Sequence, residues 1–269
     1  MRAPWMFLAA AALIGCGAPP AEAPSAPMPP ASEVTPSPAA PDAAPEMPSE
    51  SPASAKSDAG KEEPVAAPAK QGPPPPLPEG TVVLHIGDSM ADALGGALNA
   101  ELEKHGVKGY LEAKEATYIP QWAGFKMQLS SHIARRKPDL VVVTLGGNET
   151  KMPDPTERVD AIKRLVKKIG DRPCIWIAAP LWEGLEHTGI LDVIRENAAP
   201  CRYVDTNAMI PDLERYDGIH PTIPERTRWA QFMIRWLMHN RDPKGPKPWS
   251  LREKTSPPPP GSEKWLEGK

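Results

Sequence analysis

Two hydrophobic patterns alternate through the middle of this chain. The runs Val82-Val83-Leu84-His85-Ile86 and Leu140-Val141-Val142-Val143-Thr144-Leu145 are continuous, β-branched and without polar alternation, as strands buried on both faces are. Residues 91–105 instead carry apolar side chains at helical spacing, through Ala91, Leu94, Leu98 and Leu102. The same reading predicts further strands at 110–113, 174–178 and 203–205 and further helices at 123–137, 156–169 and 223–239. Strands alternating with helices predict an α/β fold with a parallel sheet covered on both faces. Over 156–169 the stripe Ile162, Leu165, Val166 and Ile169 points to the core, and Lys163, Arg164, Lys167 and Lys168 form a solvated face. Trp229, Phe232, Met233 and Trp236 recur at helical spacing and are expected to pack on the sheet.

The flanks read differently. Arg2 precedes an apolar stretch over 5–14, of signal-peptide length and too short to span a bilayer as a helix. It ends in Leu13-Ile14-Gly15-Cys16, which resembles a bacterial lipoprotein signal; that implies cleavage before Cys16, lipidation of its thiol, and export to a bilayer-anchored position. Gly17 is not acidic, which favours the periplasmic face of the outer membrane or the cell surface. Residues 16–79 are dominated by Pro, Ala, Ser and Glu and are expected to be a disordered linker, because they cannot bury enough apolar surface to fold. The Pro-rich residues 242–269 are expected to be a second disordered tail. This leaves one folded domain over 80–241, enough for one core. The net charge of -3 with mixed signs offers no basic surface for nucleic acid, and no internal repeat is visible.

Candidate chemistry lies where strands end. Gly87-Asp88-Ser89 follows the first strand, so Ser89 sits at a strand-to-helix elbow, where the helix amino end presents unpaired N–H groups. Gly146-Gly147-Asn148-Glu149 follows the third strand and supplies a side-chain amide, a donor that stabilises an oxyanion without titrating. Asp217-Gly218-Ile219-His220 places a carboxylate three residues before an imidazole, within reach to fix its tautomer. Each motif also has an ordinary reading: Asp88 and Ser89 as helix caps, Asn148 as a turn residue, Asp217 and His220 as a capped turn. Their joint occurrence, in this order, favours a nucleophile, an oxyanion donor and a base with its carboxylate. No Cys and His cluster has metal-ligand spacing, so neither a metal nor another cofactor is expected.

Over residues 81–240 the three motifs resemble the first, third and fifth blocks of the SGNH/GDSL hydrolase superfamily. The resemblance implies a three-layer α/β/α fold with a five-stranded parallel sheet of flavodoxin-like topology. It also implies Ser89 as nucleophile, His220 and Asp217 as the rest of a triad, and Asn148 with the Ser89 N–H in the oxyanion hole. Two positions depart from the family pattern. Glu149 stands where Asp is usual, and the second-block glycine is replaced within Glu115-Ala116-Thr117-Tyr118, where Thr117 or Ala116 would lend the remaining N–H. In the superfamily's strand order the strands that Cys174 and Cys201 begin are neighbours, and in an oxidising compartment that favours a disulfide over two buried thiols.

The activity expected from this resemblance is hydrolysis of an O-acyl, chiefly O-acetyl, ester on a cell-envelope carbohydrate. The alternatives are an O-acyltransferase using the same acyl-serine and an inactive carbohydrate-binding lipoprotein. Tyr118, Trp122 and Trp182 lie in loops after the second and fourth strands, where ligands of such sheets bind, and are candidates to stack on a sugar ring. A Trp at such a loop end can equally plug the sheet edge.

Overall fold

The computed structural model describes residues 73–185 and 187–267. The signal-peptide and lipidation readings, Cys16 included, fall outside these residues, as does most of the linker.

The predicted strands form one five-stranded, all-parallel sheet: β1 (Val82–Gly87), β2 (Lys108–Ala113), β3 (Leu140–Thr144), β4 (Cys174–Ile177) and β5 (Arg202–Val204), in the order β2-β1-β3-β4-β5. β1 and β3 are central and almost wholly buried, which is why their sequences run without polar alternation. Alternate residues of each strand feed two cores. On one face Val83, Leu140, Val142, Ile175 and Ile177 meet helices α1 (Ser89–Lys104) and α7 (Ile223–Asn240), through Leu94, Leu98, Leu102, Trp229, Met233 and Trp236. On the other face Leu84, Ile86, Val141, Val143 and Trp176 meet α2 (Ile119–Ala123), α3 (Leu129–Arg136), α4 (Val159–Ile169) and α5 (Ile190–Asn197). A further one-turn helix, α6 (Thr206–Met209), follows β5. The three-layer α/β/α architecture is therefore the one predicted.

Three expectations are corrected. The helix expected at 123–137 is only α3 over 129–136, because the earlier α2 ends at Ala123 and Gln128 takes a left-handed φ of 49° just before α3. The break leaves Phe125 93% exposed while Trp122 and Leu129 on either side are buried. Helix α5 lies in a stretch where no element was expected.

The third correction concerns both flanks. Residues 242–267 are not a disordered tail but fold back over the domain. Trp249 is fully buried and its Nε1–H donates to Thr81 Oγ1 at 2.9 Å. Arg241 bridges to Leu251, and the Asn240 amide makes two hydrogen bonds with the Ser256 backbone, both of 2.9 Å. A 3-10 turn at Ser262–Leu266 then rests on α7, where Arg235 donates to Ser262 Oγ and Trp265 joins the core. Nor does the folded part start at residue 80: Leu77 is buried, and Pro76 O accepts from Arg241 Nη2 at 2.6 Å. The cysteines at the starts of β4 and β5 form a disulfide, with S–S 2.01 Å between Cys174 and Cys201.

Candidate active site

All three motifs converge at the carboxyl ends of the strands, beside a cleft of about 430 Å³ lined by Ser89, Met90, Ala116, Asn148, Trp182 and His220 among others. The elbow at Ser89 needs the glycine before it. A Cβ on Gly87 would lie 2.0 Å from Thr144 O on the neighbouring strand and 2.6 Å from Ala91 Cβ, so no side chain fits where β1 turns into α1. Asp88 caps α1 by accepting from the Met90 N–H at 2.9 Å, and Ser89 emerges as the first helical residue. The capping role and the chemical role thus belong to different residues of the motif.

Ser89 Oγ–H donates to His220 Nε2 at 2.9 Å, and His220 Nδ1–H donates to Asp217 Oδ2 at 2.7 Å. The other carboxylate oxygen, Asp217 Oδ1, accepts from the backbone N–H of His220 at 2.7 Å and of Ile219 at 3.0 Å. Hydrogen bonds from the His220 backbone and ring, and from Ile219, hold the Asp217 carboxyl well below the usual carboxylate range. It therefore stays ionised wherever an imidazole works as a base. This is a complete nucleophile–base–carboxylate triad, the arrangement of a serine hydrolase, on the layer order that the SGNH resemblance implies.

Asn148 faces the same cleft. One Nδ2 hydrogen donates to Thr117 O at 2.8 Å, and the second remains for an oxyanion. The turn that presents it requires Gly146, whose φ is 115° and whose added Cβ would press on Ile194 Cδ1 at 2.7 Å. Of the two candidates for the second-block donor, Ala116 lines the cleft and Thr117 does not. Ala116 lines the cleft in the left-handed conformation that a glycine would otherwise occupy, φ 52°, whereas Thr117 is buried. The Thr117 hydroxyl donates to Lys114 O and accepts from Trp122 Nε1, so Thr117 serves to orient Asn148 through its carbonyl.

The aromatic candidates divide. Trp182 lines the cleft as expected. Trp122 does not: it is 1% exposed within the core beneath α2. Tyr118 is exposed at the start of α2, where its N–H donates to Gln121 Oε1, and it does not line the cleft. Met90, Tyr216 and Ile219 also line the cleft without having been singled out, although Met90 follows Ser89, Tyr216 precedes Asp217 and Ile219 precedes His220. The Tyr216 ring stacks at 6.0 Å from that of His220. Among the described residues no group of three or more His, Cys, Asp or Glu could hold a metal ion.

Two buried carboxyls adjoin the cleft, Asp88 in its wall and Glu149 next to Asn148. Asp88 is raised to about 7, first by burial and then by the Glu149 charge; Glu149 is raised to about 7 by burial, against the pull of the Ile119 N–H and of Arg158 at 3.8 Å. One oxygen of each, Asp88 Oδ2 and Glu149 Oε2, is buried without a hydrogen-bond partner. Both groups have folded values above their unfolded ones. The stability they contribute is complete below about pH 4, falls as the unfolded chain ionises, and levels off above about pH 7. Glu149→Gln keeps an acceptor for the Ile119 N–H and removes the buried charge, so its melting temperature should equal that of the wild type near pH 4 and exceed it by about 5 °C at pH 8. Parallel curves from pH 4 to 8 would rule out the buried-charge penalty.

No family model matches the chain, and no curated protein matches it. Solved structures to which it is similar include the lipase/acylhydrolase from Enterococcus faecalis, at 16% identity and TM-score 0.49, covering 59% of this chain and 95% of that one. An acetyl xylan esterase follows at 15% identity and TM-score 0.46, covering 56% and 97%. The family 3 carbohydrate esterase of Clostridium thermocellum is similar at 16% identity and TM-score 0.42, covering 56% and 91%. At such identities the triad geometry, not the likeness, carries the chemistry.

Proposed function

We propose that this chain is a serine ester hydrolase that removes O-acyl, chiefly O-acetyl, groups from carbohydrate of the cell envelope. The observation that carries the catalytic part is the unbroken relay from Ser89 Oγ through His220 to Asp217, with links of 2.9 and 2.7 Å, opening on a cleft. Ser89 Oγ attacks the acyl carbon as His220 Nε2 takes its proton. The oxyanion of the tetrahedral intermediate is met by the free Asn148 Nδ2–H and by the backbone N–H groups of Ser89 and Ala116. Asp217 stabilises the imidazolium, which gives its proton to the departing sugar hydroxyl. Water, deprotonated by the same His220, then attacks the acyl-serine and releases the acid.

The carbohydrate part is supported by the walls of the cleft. Trp182 and Tyr216 offer flat apolar faces near the nucleophile, and Ile219 and Met90 add apolar surface beside them. Export and anchoring through Cys16 remain part of the proposal, supported by the order Arg2, apolar stretch, Leu13-Ile14-Gly15-Cys16.

The test is a fluorophosphonate probe followed by intact mass and peptide mapping, with one adduct at Ser89 expected. Acetate release is then compared on an acetylated saccharide and on 4-nitrophenyl acetate. Trp182→Ala should lose about tenfold on the saccharide alone, in line with the loss of one aromatic contact. Folded protein that refuses the probe would overturn the esterase, and equal loss on both substrates would overturn the sugar-stacking role of Trp182.

A further inference from the structure

The base and its carboxylate do not sit on a regular element. His220 and Asp217 belong to a loop that α6 and α7 enclose, and the loop closes on itself as a small hairpin. Tyr216 N–H donates to His220 O at 3.1 Å, Thr222 N–H to Glu214 O at 2.9 Å, and Arg215 bridges Pro221 in antiparallel fashion. A hairpin this small fixes the spacing of Asp217 and His220 to one another but not their distance from Ser89, which lies on a different element, α1. Something must hold the hairpin against the sheet.

The half-buried Arg215 side chain spans that gap. One arm of its guanidinium, Nη1, donates to Ile219 O, the carbonyl just before His220. The other arm, Nη2, donates to Leu181 O at 2.7 Å, in the loop that follows β4 and carries Trp182. That loop is itself fixed to the end of the sheet by Asn207 of α6, whose amide accepts from Leu181 N–H at 2.6 Å and donates to Ala179 O at 3.1 Å. The sequence from sheet to base therefore runs through Asn207, Leu181, Arg215 and Ile219 to His220. The fork of a guanidinium suits this task, because two parallel donors set an angle as well as a distance, which a single ammonium cannot.

We infer that Arg215 is a positioning residue for the catalytic base, clamping the hairpin of Asp217 and His220 to the Leu181-Trp182 loop, while Arg226 of α7 holds Pro221 O at 2.9 Å, so that His220 Nε2 stays in register with Ser89 Oγ. Arg215 does not line the cleft or touch the reacting atoms; it acts through the carbonyls of Ile219 and Leu181. The inference rests on the esterase reading of the same site.

Its consequence separates turnover from binding. A base displaced by about 1 Å costs on the order of a hundredfold in rate, while a small ester that reaches neither Arg215 nor its carbonyls loses little affinity. The experiment uses the full chain and 4-nitrophenyl acetate. Arg215→Ala should lower kcat about a hundredfold with KM changed less than about threefold. Added ethylguanidinium should restore kcat severalfold in that variant and leave the wild type unchanged. Arg215→Lys, which keeps the charge but not the fork, should fall between, and it decides the question on kcat if the Ala variant does not fold. An unchanged kcat in either folded variant, a loss confined to KM, or the absence of rescue would overturn the inference. If instead the wild type neither takes a fluorophosphonate at Ser89 nor turns over the ester, the esterase reading is what has failed.

Discussion

Ser89→Ala and His220→Ala are each expected to lower kcat on an activated acetyl ester by at least about a thousandfold while leaving the melting temperature close to that of the wild type. The size follows from the way triad members act as a unit: without Oγ there is no acyl-enzyme, and without the imidazole the hydroxyl is not deprotonated at neutral pH. Stability is spared because both side chains line a cleft rather than a core. Asp217→Ala should cost less. It removes the acceptor at 2.7 Å that fixes the tautomer of His220, but leaves the imidazole beside Ser89 and the Tyr216 N–H to His220 O contact that closes the hairpin. Steady-state kinetics with thermal melts of all three variants checks the order. Retention of most activity by Ser89→Ala would remove the nucleophile assignment.

The second large effect concerns stability and arises from a segment that looks dispensable by composition. Removing residues 242–269 strips away Trp249, which is fully buried, together with the hydrogen bonds that Ser256 makes to Asn240 and Trp249 to Thr81. Trp249→Ala alone is expected to destabilise the domain by about 3–5 kcal/mol, the cost of emptying a buried aromatic site. The full truncation should do more, because it also uncovers the core residues under Trp265 and Leu266. Urea unfolding followed by tryptophan fluorescence measures both. A truncated protein with an unchanged midpoint would show that the packed tail contributes nothing.

That segment also shows where sequence reading succeeds and where it fails. Runs such as Val141-Val142-Val143 have one physical outcome, a central strand, so the sheet and the long helices α1, α4 and α7 follow directly from the pattern. The site is legible for a related reason: Ser89, Asn148 and His220 each stand just past a strand or in a tight turn, so topology brings them to one edge. Proline density misleads because it measures the lack of regular structure, not the lack of packing. A few anchors, Trp249, Leu251 and Trp265, suffice to hold an irregular chain against a core. Trp122 fails for a different reason. A loop-end Trp can face out or in, and the choice depends on the Thr117 hydroxyl that accepts its N–H, a contact that no local pattern encodes. Ala116 was hard to single out because an alanine gives no hint of a left-handed backbone; the surrounding fold imposes it.

Thr81 accepts from Trp249 and donates to Pro78 O just before β1 begins, so the preceding chain and the returning tail meet at the amino ends of the strands. The catalytic edge is at the carboxyl ends, past Gly87 and Thr144. The domain thus has a mooring side and a working side at opposite poles, with the length of β1 between them. Residues 73–81 therefore join the domain at the mooring side, and Ser89 stands beyond the opposite end of the strand that they lead into.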